Sequence, residues 1–175
     1  MTTPADQALP TVSLRAMEPE DLDMLYRIEN DAQLWDVGAT NVPYSRYTLH
    51  DYIAHASGDI YADRQVRLIA ENADGHPVGI VDIVNFEPRH CRAEVGIVVE
   101  RPLRRRCYAQ AVLRELHHYA RHVLHLHQLF ALIAADNEAA CALFRKMGYR
   151  QTATLQEWLF DGRNYADAKL FQAIL

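Results

Sequence analysis

Cysteine is scarce in this 175-residue chain. Cys91, Cys107 and Cys141 are too few and too irregularly spaced for a disulfide framework or a four-ligand zinc site. Positive charge is short as well: 18 Lys and Arg against 23 Asp and Glu leave a net charge of −5. The resulting pI of about 6.0 argues against nucleic acid as a partner, because such proteins carry a broad basic excess. No apolar run approaches the roughly 20 residues of a membrane span, so no membrane partner is expected. The opening Met1-Thr2-Thr3-Pro4-Ala5-Asp6 lacks the basic start and apolar run of a secretory signal, and a reducing cytoplasm is the expected location. Repeats, low-complexity tracts and linkers are missing too. What is present is a 50% hydrophobic composition over 175 residues, enough to bury a core without metal or disulfide support. One domain over residues 1–175 is therefore expected, with residues 1–10, which carry two prolines, as a loose lead-in.

Periodicity gives the order of elements. Val12 to Arg15 reads as a short strand, Pro19 suits the first turn of a helix, and Leu22, Leu25 and Ile28 give that helix a buried stripe. Residues 38–43 read as loop, and Ser45 can cap a second helix facing inward through Leu49, Tyr52, Ile53 and Ala56. These two helices are expected to wall one side of a cleft. Val66, Leu68 and Ala70 alternate as a strand, Asp74-Gly75 turns the chain, Val78 to Val84 returns, and Arg92 to Val99 follows. A helix from Tyr108 presents Val112, Leu116, Tyr119 and Val123; then come a strand from Leu129 to Ala134 and a helix from Asn137 to Met147. Trp158 to Tyr165 carries a hairpin signal centred on Asp161-Gly162. This order predicts a mixed α/β sheet flanked by helices.

Two segments carry chemistry. Val95 to Val99 is an apolar, β-branched run that leads into four arginines in six positions, Arg101, Arg104, Arg105 and Arg106, and then into the helix at Tyr108. A helix start has unpaired N–H groups and a partial positive charge, so this order suits a phosphate-bearing ligand held by amides and guanidinium groups. A solvated loop is the plainer reading of the same arginines. In Asp136-Asn137-Glu138-Ala139-Ala140, Asp136 or Asn137 is a good N-cap, with Ala140, Leu143, Phe144 and Met147 as the apolar stripe and Gly148 as the stop.

Both segments resemble signatures of the GNAT superfamily of N-acetyltransferases. Arg104-Arg105-Arg106-Cys107-Tyr108-Ala109 is similar to the coenzyme A loop Q/R-x-x-G-x-G/A, with Cys107 where glycine is expected and Arg105 at another place often filled by glycine. Asp136 to Tyr149 is similar to N-x-x-A-x-x-x-Y/F-x-K-x-G-F/Y, and Leu14-Arg15 with Asp21 resembles the family's opening pattern. Arg92-Ala93-Glu94 is similar to the R-A-E stretch of the spermidine N-acetyltransferase branch, which with the ribosomal-protein N-terminal acetylase branch stands nearest in overall pattern. The resemblance covers Val12 to about Phe171. It implies a mixed, mostly antiparallel sheet of about seven strands flanked by about four helices.

It also implies acetyl-CoA as co-substrate and direct acetyl transfer to a primary amine, whether polyamine, small amine or protein N-terminus. The donor would be held by Val98, Val99, Arg104, Arg105, Arg106, Cys107, Tyr108, Ala109, Gln110, Asn137 and Phe144, with no metal. Phe144 stands where many relatives place a tyrosine that protonates the leaving thiolate. Glu94 is the candidate base, and the alternative is an ion pair with Arg92 or a neighbouring strand. Tyr108 and Tyr149 read as packing residues. His118, His122 and His125 lie on one helical face, which reads as solvated rather than metal-binding. Cys107, at a helix start beside arginines, reads as a reactive thiol or a small filler. A homodimer is compatible with the sequence. The competing functional reading is an inactive acetyltransferase-like fold that senses coenzyme A or another phosphate ligand.

Overall fold

The computed structural model describes residues 8–31 and 42–175. The loop read over residues 38–43 and the lead-in over residues 1–10 therefore fall largely outside the described residues, although Leu9 packs on the core. Among the described residues seven strands form one sheet in the order β1-β2-β3-β4-β5-β7-β6. The strands are β1 Val12–Ala16, β2 Val66–Asn72, β3 Pro77–Glu87, β4 Arg92–Val99, β5 Gln128–Ala134, β6 Arg150–Phe160 and β7 Tyr165–Ile174. Only β4 and β5 pair parallel. The helices are α1 Leu22–Glu29, α2 Arg46–His55, the single turn α3 Ile60–Asp63, α4 Tyr108–His122 and α5 Glu138–Lys146. The expected mixed, mostly antiparallel architecture is present, and α3 is the helix that periodicity did not reveal.

Alternation along the strands gives each face its own cover. Ala93 and Val95 of β4 join Ala111, Val112, Leu113 and Leu116 of α4 in the main core, which also takes Leu129, Phe144 and Phe171. On the opposite face Ile69, Ile80 and Val98 meet Met24 and Ile28 of α1. Among the described residues this second cover stops short of β5 and leaves the α1 face of β5 and β7 open. The close approach of β3 to β4 requires glycine at position 79, where a Cβ would stand 2.1 Å from the Val98 carbonyl oxygen.

Three local expectations are corrected. Val123 is 57% exposed, because α4 ends at His122 and the chain rotates away; Ala111, Leu113 and Ala120 complete the buried face instead. Of the four residues expected inside α2, Leu49 is buried and Ile53 half-buried, while Tyr52 and Ala56 are exposed, since α2 leans on α1 rather than on the sheet. The last hairpin turns one residue later than Asp161-Gly162. Asp161 N–H donates to Asn164 O at 3.1 Å, which puts Gly162, at φ +96°, and Arg163 at the centre. The Asp161 carboxylate accepts from the Arg163 and Asn164 amides, and these bonds hold its pKa below the usual range.

Candidate active site

The parallel pair β4 and β5 holds together only over Arg92–Gln128, Ala93–Leu129 and Glu94–Phe130. Past Glu94, β4 runs to Val99 with no partner strand on that side among the described residues, while β5 continues to Ala134 paired with β7. A wedge therefore opens at the carboxyl ends of two parallel strands, the place where α/β sheets take ligands. Helix α4 begins after one side of the wedge and α5 after the other.

The bend before α4 keeps a glycine-like backbone without glycine. Arg105 has φ +63° and Cys107 has φ +62°, ψ +5°, both left-handed. A side chain in that region costs about 1–2 kcal/mol, so the surrounding fold imposes the conformation. Left-handed residues within a turn aim successive amides into a concave anion-binding surface. The first bond of α4 is Ala111 N–H to Cys107 O, and Cys107 gives no side-chain cap, so the amides of Tyr108, Ala109 and Gln110 stay open at the positive end of the helix. Arg105 and Arg106 are exposed and have no ion pair among the described residues. Arg104 folds back instead, donating from Nε to Val99 O at 3.0 Å. Arg101 is committed to Asp31.

Across the wedge, Asn137 caps α5 by accepting from Ala140 N–H at 3.1 Å, which leaves its amide NH2 available to donate. The N-cap role expected of it is therefore present. Phe144 is 4% exposed and stacks edge-on against Tyr149 with ring centres 4.8 Å apart. It therefore packs in the core and offers a ligand little surface. Tyr149 is buried too. Its hydroxyl lies 3.0 Å from His117 Nε2, and burial raises its pKa above the ordinary value, which makes it a packing residue rather than an acid. The same burial lowers the pKa of His117.

Glu94 lies on the α1 face at the point of divergence, beside an open trough of about 650 Å³. Asn85 Nδ2 donates to Glu94 Oε2 at 2.7 Å, and no ion pair joins Glu94 to Arg92. Asn85 was missed in the sequence. It has φ +49° and sits where the β3–β4 register breaks between Val84 and Glu87; an asparagine just ahead of Glu87-Pro88 was the available signal. Next to the trough, Arg67 forks onto Asp82 at 2.6 and 2.9 Å and also meets Glu29. Burial opposes its charge, but the Asp82 bonds outweigh it and keep Arg67 cationic.

His118 and His122 are exposed neighbours on α4, and His125 lies beyond the helix. Among the described residues no group of three His, Cys, Asp or Glu side chains is placed to hold a metal.

Residues 11–150 match the family model described as an acetyltransferase (GNAT) domain. The chain belongs to the GNAT acetyltransferase family. Members of this family are acetyl-CoA-dependent, and the chain is an N-acetyltransferase of that kind. It is 26% identical over 162 residues to the spermidine N(1)-acetyltransferase of Escherichia coli K12, covering 90% of this chain and 83% of that one. It is 22% identical over 158 residues to the Vibrio cholerae enzyme of the same name, covering 90% of each. The crystal structure of a Vibrio cholerae spermidine N-acetyltransferase with CoA and spermine superposes with a TM-score of 0.84 at 21% identity, covering 94% and 95% of the two chains. A dodecameric structure of the Vibrio cholerae enzyme gives 0.77 at 24% identity over 94% of each. These structures share the fold. The GNAT wedge, the open start of α4 and the free arginines fit a thioester carried on a diphosphate.

Proposed function

We propose that this chain, acting as one domain, transfers acetyl from acetyl-CoA directly to a primary amine bound on the α1 face of β4 and β5. The observation that carries the reading is the parting of β4 from β5 immediately beyond Glu94, with open amides at the start of α4 on one side and a trough on the other. The bound donor supplies the acetyl thioester. The amides of Tyr108, Ala109 and Gln110, with Arg105 and Arg106, hold its diphosphate, Asn137 and the free edge of Val98 and Val99 hold its arm, and Arg104 braces the bend. Glu94 accepts the amine's proton, directly or through water, as the amine nitrogen bonds to the acetyl carbon. The carbon–sulfur bond then breaks with its electron pair on sulfur. A thiol with pKa near 8.5 leaves as thiolate without a dedicated acid near neutral pH, so phenylalanine at position 144 is compatible with turnover.

The left-handed backbone at Arg105 and Cys107 supports donor binding, because the geometry that glycine would give is retained. The relatives' names make polyamines the first acceptors to assay. Free Cys91, Cys107 and Cys141 support a reducing, cytoplasmic setting; no helix among the described residues is long and apolar enough to cross a membrane. Exposed Trp158 and Phe160 on the edge strand β6 support self-association, a homodimer or larger.

Thermal shift with acetyl-CoA and thiol release over an amine panel test the proposal together. Stabilisation with release is expected. Glu94→Gln should cut kcat by about 10²-fold near neutral pH with donor affinity kept, and the loss should shrink as pH nears the amine's own pKa of about 10. Stabilisation without release from any amine would favour the sensor.

A further inference from the structure

We infer that the acceptor is a primary amine on an apolar body that carries no second positive charge; this rests on the trough beside Glu94 being the acceptor site. The strands under the trough give it apolar Phe130, Leu132 and Leu170 together with Gln128 and Gln172, whose amides are paired at 3.2 Å and carry no charge. Its volume of about 650 Å³ is in the range of small-molecule sites. Its charged lining is balanced, Arg64 and Arg92 against Glu87 and Glu94. The balance is uneven in availability. Glu87 lies 3.9 Å from Arg64. The neighbouring carboxylates on this face, Asp82 and Glu29, are both held by Arg67. Among the described residues Glu94 is thus the trough carboxylate with no ion pair, its other contact being the neutral Asn85 amide.

Arg92 has the opposite character. It stands two residues before Glu94 on the same face of β4, is exposed, and has no ion pair among the described residues. A guanidinium there attracts an anionic group and repels a second ammonium. A polyamine would place one nitrogen at Glu94 and the next over uncharged floor or beside Arg92. An amine with a neutral or carboxylate far end meets no such conflict.

Four acceptors separate the possibilities: hexylamine, 6-aminohexanoate, hexane-1,6-diamine and spermidine. The first three share a six-carbon chain with an amine at one end and carry a methyl, a carboxylate or an ammonium group at the other. At low, fixed ionic strength, kcat/KM from thiol release is expected to be at least about tenfold higher for hexylamine and 6-aminohexanoate than for the diamine and spermidine. Arg92→Glu is expected to reverse the order of 6-aminohexanoate and the diamine. A native preference for spermidine or the diamine, or an unchanged order in the Arg92 variant, overturns the inference while leaving the transferase reading intact. Failure of every amine, with acetyl-CoA still raising Tm, removes the transferase reading and this inference with it.

Discussion

Arg101 forks onto Asp31, Nε to Oδ2 at 2.8 Å and Nη2 to Oδ1 at 2.6 Å, across 70 residues of sequence. Asp31 follows α1, and Arg101 opens the turn that leads into the donor bend. A second pair, Arg27 with Glu100 at 2.7 Å, ties the same two segments. Exposed pairs contribute little to stability, about 0–1 kcal/mol, but a forked pair fixes geometry. Asp31→Asn is therefore expected to lower Tm by no more than about 3 °C while weakening acetyl-CoA binding about threefold to tenfold, measured by calorimetry. A large fall in Tm with intact affinity would assign the pair to the scaffold alone.

Cys107 holds φ +62° at the start of α4, a conformation that glycine adopts without strain. Cys107→Gly should raise Tm by a few degrees, since relieving a left-handed side chain returns about 1 kcal/mol, and should tighten acetyl-CoA binding by widening the approach to the amides. Cys107→Val, branched at Cβ, should do the reverse. Equal affinity in all three proteins would place the diphosphate elsewhere.

How much of this was readable in advance depends on the range of the interaction. The order of elements followed from local periodicity, and the Leu14-Arg15…Asp21 resemblance turns out to have a local cause: Arg15 grips Asp21 at 2.7 and 2.8 Å. The wedge could be expected only through resemblance, because a register that stops after three residue pairs leaves no trace in the composition of either strand. The burial of Phe144 follows the stripe read for its helix, whereas the exposed place of Val123 depends on a packing angle that a helical stripe does not encode. Asn85 was hidden for a related reason. Its role comes from a bulge, and a bulge is a relation between two strands rather than a property of one.

In the proposed mechanism Asn85 positions Glu94, and its two contributions can be separated. Asn85→Gly keeps the positive φ but deletes the amide that reaches Glu94 Oε2, whereas Asn85→Ala loses the amide and also disfavours the bulge. Both should lower kcat about threefold to tenfold with unchanged acetyl-CoA affinity, in keeping with the net worth of one ordinary hydrogen bond. Only the alanine variant should also lower Tm. Native kcat in the glycine variant would show that the 2.7 Å bond does not orient the base.

The buried carboxylate of Asp21 gives the fold an acid limit. Asp21 is 3% exposed, accepts both nitrogens of the Arg15 fork, and takes the Glu18 amide at 2.8 Å. Burial alone would raise its pKa, but the Arg15 and Glu18 hydrogen bonds outweigh that and leave it below the ordinary carboxylate value. A depressed folded pKa means that the unfolded chain takes up the proton first. The contribution of Asp21 is therefore complete above the unfolded value of about 3.9 and is lost as pH falls through the lower folded value. Asp21→Asn leaves Arg15 facing a neutral amide and should cost about 3 kcal/mol at pH 7, a fall of roughly 6–12 °C in Tm. The gap between native and variant should then close as pH drops below about 4, because protonation removes from the native protein the same charge that the substitution removes. Thermal melts of both proteins from pH 7 to pH 3 check this, and curves that stay parallel over the whole interval would mean that the carboxylate is not what the Arg15 fork holds.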